Sequence, residues 1–254
     1  VGIRPRGRAA PCDQGPQNPP SAARLDLDQN TEDWGIYCES QPDWAKSNVA
    51  TPSLDGRSLR CGILGGDPYS NVHCYRNLQP EPFTSHFTLT LSFWFSPTTT
   101  FNNQGGDSFV QSLEFSISKW RNAQRHEFAL EWRNVGIGAP QWHYWDAHAT
   151  PDRWVALDIT DPSALLLAGN SWHSFQLSGE IVNGQARYRR FAIDTHEYQL
   201  TQVAAPIIEP GTPDLLAIAV QIDGNASAMP YDLFIDQVEF ASTPYGRALP
   251  LVLR

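Results

Sequence analysis

Three glutamates, Glu114, Glu127 and Glu131, fall in two segments whose apolar residues alternate along the chain. In "SLEFSIS" (112–118), Leu113, Phe115 and Ile117 form one side. Successive strand side chains point to opposite faces, so Glu114 shares the other side with Ser112, Ser116 and Ser118. In "HEFALEW" (126–132), Phe128, Leu130 and Trp132 leave Glu127 and Glu131 opposite. A connection that turns at Asn122 and Ala123 pairs Glu114 with Glu131 and Ser118 with Glu127. A register slipped by four in the sum of paired positions brings Glu114 to Glu127 instead. Like charges across a strand pair repel, so a fold keeps them only with a shared proton, a cation or a neighbouring arginine. Such pairs have raised and split pKa values, as an acid and a nucleophile need for cleaving a glycosidic bond. Retaining hydrolysis uses carboxyls roughly 5–5.5 Å apart and inverting hydrolysis roughly 6.5–9.5 Å, and cross-strand neighbours fit the first. Glu114 and Glu131 are therefore the candidate catalytic pair, with Glu127 as modulator. An ordinary solvent-facing sheet, its glutamates paired with Arg121, Arg125 or Arg133, satisfies the same pattern.

Parity adds neighbours to that face. With Val72 and Cys74 in the core, His73 and Tyr75 point the other way, and Gln221 with Asp223 does so from "LAIAVQID". His73 and Tyr75 are competent as proton donor and base for a lyase that removes the C5 proton of a uronic acid. They also serve as substrate-binding candidates, together with Gln221. "QWHYWD" (141–146) and Trp120 offer rings that can stack on sugar faces. Trp142 and Tyr144 share one side of that strand and Trp145 takes the other, so at most half of these rings can bind anything. Trp142, Tyr144 and Trp120 are the candidates. "DLDQNTED" (26–33) begins like a calcium loop, but Thr31 and Tyr37 replace its glycine and its bidentate glutamate. A structural calcium ion joining Asp26 or Asp28 to Asp236 is the metal expectation, and no cofactor is required. The seven histidines show no H-x-x-x-H or H-E-x-x-H spacing, and there is no phosphate-binding glycine loop or G-x-S-x-G elbow. Asn225-Ala226-Ser227 is a lone glycosylation sequon.

The formal charge of −9 and the absence of a basic stripe argue against nucleic acid as a partner. No apolar run approaches the ~20 residues needed to span a bilayer. Four cysteines without C-x-x-C spacing read as disulfides, which places the protein outside the cell or on its surface. A tight turn centred on Asp67 and Pro68 would set Cys61 and Cys74 opposite each other on paired strands, leaving Cys12 with Cys38.

Residues 1–24 form a Pro/Gly/Arg-rich leader or linker, 25–241 a single β-domain and 242–254 a C-terminal tail. Period-two runs at 86–95, 112–118, 126–132, 174–182, 215–223 and 231–240 are strands, and Asn183-Gly184 marks a type I′ hairpin. The one helix candidate, 161–170, is a short excursion. Many antiparallel strands with so little helix make an all-β sandwich or barrel. The order of "LDGRSLR", "YSNVHCYRNL", "FTLTLSFWF", "LAIAVQID" and "YDLFIDQVEF" resembles the concanavalin A-like lectin and glucanase superfamily of jelly rolls over most of 25–241. The E-x-D-x-x-E run of laminarinase-like glucanases and the R-[TS]-E, Q-[IV]-H and Y-x-K-x-G-x-Y set of alginate lyases are missing. The resemblance implies an antiparallel jelly-roll β-sandwich whose concave sheet holds a polysaccharide or oligosaccharide. The expectations in order are a glycoside hydrolase, a non-catalytic carbohydrate-binding module or lectin, a polysaccharide lyase, and a structural or adhesion protein joined to other domains through its tails.

Overall fold

The computed structural model describes residue 27 and residues 30–78, 84–96, 110–134 and 140–244. Sixteen strands follow one another. They are β1 (Gly35–Glu39), β2 (Pro42–Val49), β3 (Ser58–Gly66), β4 (Asn71–Leu78), β5 (Thr84–Ser96), β6 (Ser112–Arg121), β7 (Gln124–Arg133) and β8 (Gln141–Trp145). After β9 (Trp154–Ala156) comes a single helical turn, α1 (Pro162–Leu165), capped by the Asp161 carboxylate. Then follow β10 (His173–Val182), β11 (Gln185–Ile193), β12 (His196–Gln199), β13 (Val203–Ala204), β14 (Ile207–Ile208), β15 (Leu215–Asp223) and β16 (Tyr231–Pro244).

These form two antiparallel sheets, each of eight strands. One runs β1-β4-β15-β6-β7-β8-β9 with β14 beside β7, and the other β12-β11-β10-β5-β16-β3-β2 with β13 beside β11. The molecule is a jelly-roll β-sandwich, as the alternation predicts. Its core is the apolar half of that alternation. Phe93 of β5 meets Phe115 of β6 at 4.9 Å, Phe115 stacks on Phe175 of β10 at 4.4 Å, and Trp142 of β8 lies 4.6 Å from Phe191 of β11. The Asn183-Gly184 turn has both residues at positive φ, the backbone that matches strand twist in a two-residue hairpin.

Two expectations need correction, the hairpin and the tail boundary. Cys61 and Cys74 are bonded, but β3 and β4 lie in different sheets, so the turn they flank is a crossover and the disulfide spans the core. Cys38 is also disulfide-bonded, whereas Cys12 lies outside the described residues. Strand β16 runs to Pro244, three residues into the segment read as a tail, while the leader, apart from the core residue Leu27 that follows it, lies outside the described residues. Asn225 of the sequon is 1 % exposed and its side-chain oxygen accepts from the Ser227 and Met229 amides, so the folded chain does not present it for glycosylation.

Candidate functional site

The polar face of the β1 to β9 sheet carries one row of side chains set by strand register. Tyr37 of β1 pairs with His73 of β4, His73 with Gln221 of β15, and Gln221 with Glu114 of β6. Glu114 pairs with Glu131 of β7, and Glu131 with His143 of β8. The β6–β7 turn is at Asn122 and Ala123, both at positive φ, which fixes the Glu114–Glu131 and Ser118–Glu127 registers. An open groove of about 480 Å³ lies over part of this face. Its walls include Tyr37, Glu39, His73, Tyr75, Asn77, Glu114, Trp120, Arg125 and Glu127.

The acidic side chains divide by what surrounds them. Burial pushes the Glu114 carboxyl well above the ordinary carboxylate range, and Glu127, Asp223, Glu131 and Glu39 raise it further by repulsion. Both causes favour its protonated form, a hydrogen-bond donor at the groove wall. Glu127 is raised by burial too, but the Arg125 guanidinium 2.5 Å away opposes the shift, and a Ser118 hydrogen bond helps. Glu131 is 4 % exposed and does not reach the groove. Its carboxylate turns to Arg133 at 2.8 Å, and burial outweighs that arginine to lift it to about 7. The pairing read from sequence is present, while the carboxylates that share the groove with Glu114 are Glu39 and Glu127.

The substrate-binding candidates also divide. His73 and Tyr75 line the groove. Burial lowers the His73 imidazole to about 4, so it is neutral, and its Nε2 has no hydrogen-bond partner among the described residues. Tyr75 can lie against β1 because Gly35 stands there, and a Cβ at that position would sit 2.4 Å from the tyrosine ring. Trp120 lines the groove and donates through Nε1 to Glu209 at 2.7 Å. Gln221 does not line it, being 8 % exposed with its amide donated to Asp223 at 2.6 Å. Trp142 and Tyr144 are on the other side of their strand from the one assumed. Trp142 is fully buried and donates to the Ala164 carbonyl at 2.9 Å, and Tyr144 packs on the core beside Tyr188. Their alternation puts Trp145 on the polar side, edge-on to Trp154 at 5.1 Å. Asp236 is fully buried and both oxygens accept hydrogen bonds, from Ser53, the Leu54 amide and the Gln237 amide. Those bonds tie the Ser53–Leu54 loop to β16, and Asp26 and Asp28, the other two residues of the calcium expectation, lie outside the described residues. No group of three or more His, Cys, Asp or Glu able to hold a metal exists among the described residues.

Sequence reading missed Tyr37, Glu39, Asn77 and the groove position of Arg125. The first two were legible, since Ile36 and Cys38 alternate with them in "GIYCE". Beneath the site, Tyr188 of β11 reaches across the core. Its hydroxyl accepts from the Ala129 amide at 3.0 Å and donates to the Trp145 carbonyl at 3.0 Å, fixing β7 between Glu127 and Glu131.

No protein-family model matches the chain, and no curated protein matches it. Among solved structures, the alginate lyase Aly36B superposes with a TM-score of 0.53 at 9 % identity, covering 90 % of this chain and 100 % of that one. A double mutant of that lyase in complex with alginate trisaccharide gives 0.51 at 9 % identity, covering 87 % and 98 %. At such identity the likeness is one of fold: the chain shares the jelly-roll β-sandwich of these proteins.

Proposed function

We propose that the chain is an extracellular glycan-cleaving protein, a glycoside hydrolase whose groove presents Glu114 as general acid and Glu127 as general base. The observation that carries this reading is the pair's unequal environment inside one groove: burial raises both carboxyls, but carboxylates around Glu114 raise it further, while Arg125 opposes the rise at Glu127. Two carboxyls pushed apart in this way supply the acid and the base of glycoside hydrolysis. Glu114 gives its proton to the glycosidic oxygen as the bond to the anomeric carbon breaks. Glu127 takes a proton from water, whose oxygen attacks that carbon. The products are a new reducing end and a free alcohol, and the proton gained by Glu127 returns to Glu114 through solvent. Glu127 is offset by four residues from the partner of Glu114, about 13 Å along the strand at ~3.3 Å per residue. A backbone offset of that size exceeds the roughly 6.5–9.5 Å between the carboxyls of inverting enzymes, so the two side chains must lean toward each other to flank one bond, with water and not Glu127 as the attacking group. Glu131 raises the Glu114 pKa from behind instead of attacking the sugar.

Glu114→Gln is the test, because glutamine copies the shape and charge of the protonated acid. Release of reducing ends should fall by roughly 10²–10⁴-fold, the usual contribution of a general acid, with the melting temperature unchanged or higher at pH 7. Wild-type activity in both Glu114→Gln and Glu127→Gln would overturn the assignment. Initial products read by proton NMR should carry the inverted anomer, and retention would overturn Glu127 as general base.

A lyase is the second reading, favoured by the unpartnered His73 Nε2 beside Tyr75 in the groove. It requires unsaturated, ultraviolet-absorbing products and loss of activity in His73→Asn. The Cys61–Cys74 bond supports the extracellular placement, since such bonds persist in oxidising compartments.

A further inference from the structure

The groove is short of positive charge. Glu39, Glu114 and Glu127 line it, and Asp223 and Glu131 stand immediately behind, each raising the pKa of Glu114. Arg125 is the cation on the wall, and it is shared between Glu127 at 2.5 Å and Glu209 at 2.9 Å. Arg133, two residues beyond Glu131 on β7, is likewise divided between Glu131 at 2.8 Å and Asp152 at 2.9 Å. His73 is neutral. Every arginine facing the site is thus committed to two carboxylates, and the remaining acidic groups repel one another in a partly desolvated cleft. A polyanion entering this groove would add to that repulsion, at the several kcal/mol that like-charge juxtaposition costs in an interface. A compact cation such as a metal ion finds no cluster of three ligands among the described residues. The carboxylates are instead spread along the groove, with Glu39 on β1 and Glu127 on β7 separated by three intervening strands. Spaced negative charges match spaced positive ones.

We propose that the groove takes amino-sugar polymers, chains of hexosamine units with free ammonium groups, and rejects polyuronates. This rests on reading the groove as a glycan site. Ammonium groups of sugars several units apart along the chain would face Glu39 and Glu127, while the uncharged parts of the sugars pack on Tyr37, Tyr75 and Trp120. The preference therefore runs opposite in sign to that expected for a uronate-binding groove on the same fold.

Calorimetry on the Glu114→Gln protein tests it, because that variant slows bond cleavage and leaves Glu39 and Glu127 in place. Hexasaccharides of glucosamine, N-acetylglucosamine and uronate are titrated at pH 6.5 in 20 mM and 300 mM salt. The glucosamine ligand should bind about tenfold more tightly than its acetylated form at low salt, as expected for one or two charge pairs of ~1 kcal/mol each. High salt or Glu39→Gln should remove most of that advantage. The uronate should bind weakest. Equal or tighter uronate binding, equal salt-independent binding of the acetylated ligand, or no binding of any ligand would each overturn the proposal. Reducing-end assays on the wild-type protein separate the two ideas. The predicted binding order without bond cleavage would leave the charge preference standing and remove the hydrolase reading.

Discussion

At the scale of single residues, the site is a set of groups held away from their ordinary protonation states. Glu131, lifted to about 7, binds its proton more tightly in the folded chain than in the unfolded one, and Glu114 does so more strongly. Their stabilisation is complete below the unfolded carboxylate range and is lost as pH rises through the folded values, for Glu131 between about 4.5 and 7. His73, lowered to about 4, has the opposite sign: its contribution is complete above the unfolded value of 6.5 and is lost as pH falls toward 4. The two slopes oppose each other in the wild type, so differences between variants carry the information. Subtracting the Glu114→Gln stability curve from wild type should leave a difference that falls as pH rises. Subtracting that of His73→Asn should leave one that rises between pH 4 and 6.5. Urea melts at half-unit pH steps measure both, and flat differences would show that these groups keep ordinary pKa values. The presence of these groups on one face was legible from period-two alternation alone. Their division was harder to see, although the sequence holds a signal: Arg125 and Arg133 lie two residues from Glu127 and Glu131, on the same side of one strand.

At the scale of elements, the β6–β7 hairpin is where sequence reading reached furthest. Two alternating runs of matching length around a two-residue turn allow one register, and the turn at Asn122-Ala123 selects it. Strand β8 was different. "QWHYWD" carries aromatic residues on both sides, so composition does not say which side is core, and the Trp142 and Tyr144 rings that looked available are the ones the core takes. The clue lay in pairing, since Trp142 sits opposite Trp132, already on the apolar side of β7. Tyr188 joins these elements to the opposite sheet. Tyr188→Phe should destabilise the domain by about 1–3 kcal/mol, the cost of stranding the Ala129 amide and the Trp145 carbonyl in an apolar core. Chemical denaturation reads the loss, and an unchanged midpoint would mean that β7 and β8 satisfy those groups without it.

At the scale of the whole molecule, fold class followed from the number of alternating strands and the near-absence of helix, whereas sheet membership did not. Nothing in "RSLRCGILGGDPYSNVHCYRNL" distinguishes a hairpin from a crossover, because glycine and proline serve both. The register of β3 with β16 and of β4 with β15, set by partners 138 or more residues away, decides it. The disulfide then becomes a tie between sheets. In the chain-entropy account, closing a loop of this size contributes about 3 kcal/mol. Replacing Cys61 and Cys74 together by alanine should lower stability by about that amount, with Glu114-dependent activity retained at temperatures where the variant is folded. A variant as stable as wild type would show that core packing alone holds the sheets together.

The same bond has a mechanical consequence. Tension applied between residue 30 and residue 244 would be carried across the two sheets by a covalent link, and the stretch from Cys61 to Cys74 would not lengthen. At ~3.4 Å per residue, the 13-residue separation holds back about 45 Å of contour. His73 and the crossover belong to that withheld length. Pulled in an oxidising medium, the chain should show a shortened unfolding extension. Pulled with a reductant present, it should give up the missing 45 Å only after the sheets part and the sulfurs become exposed, so the groove wall nearest His73 would be among the last parts of the molecule to extend.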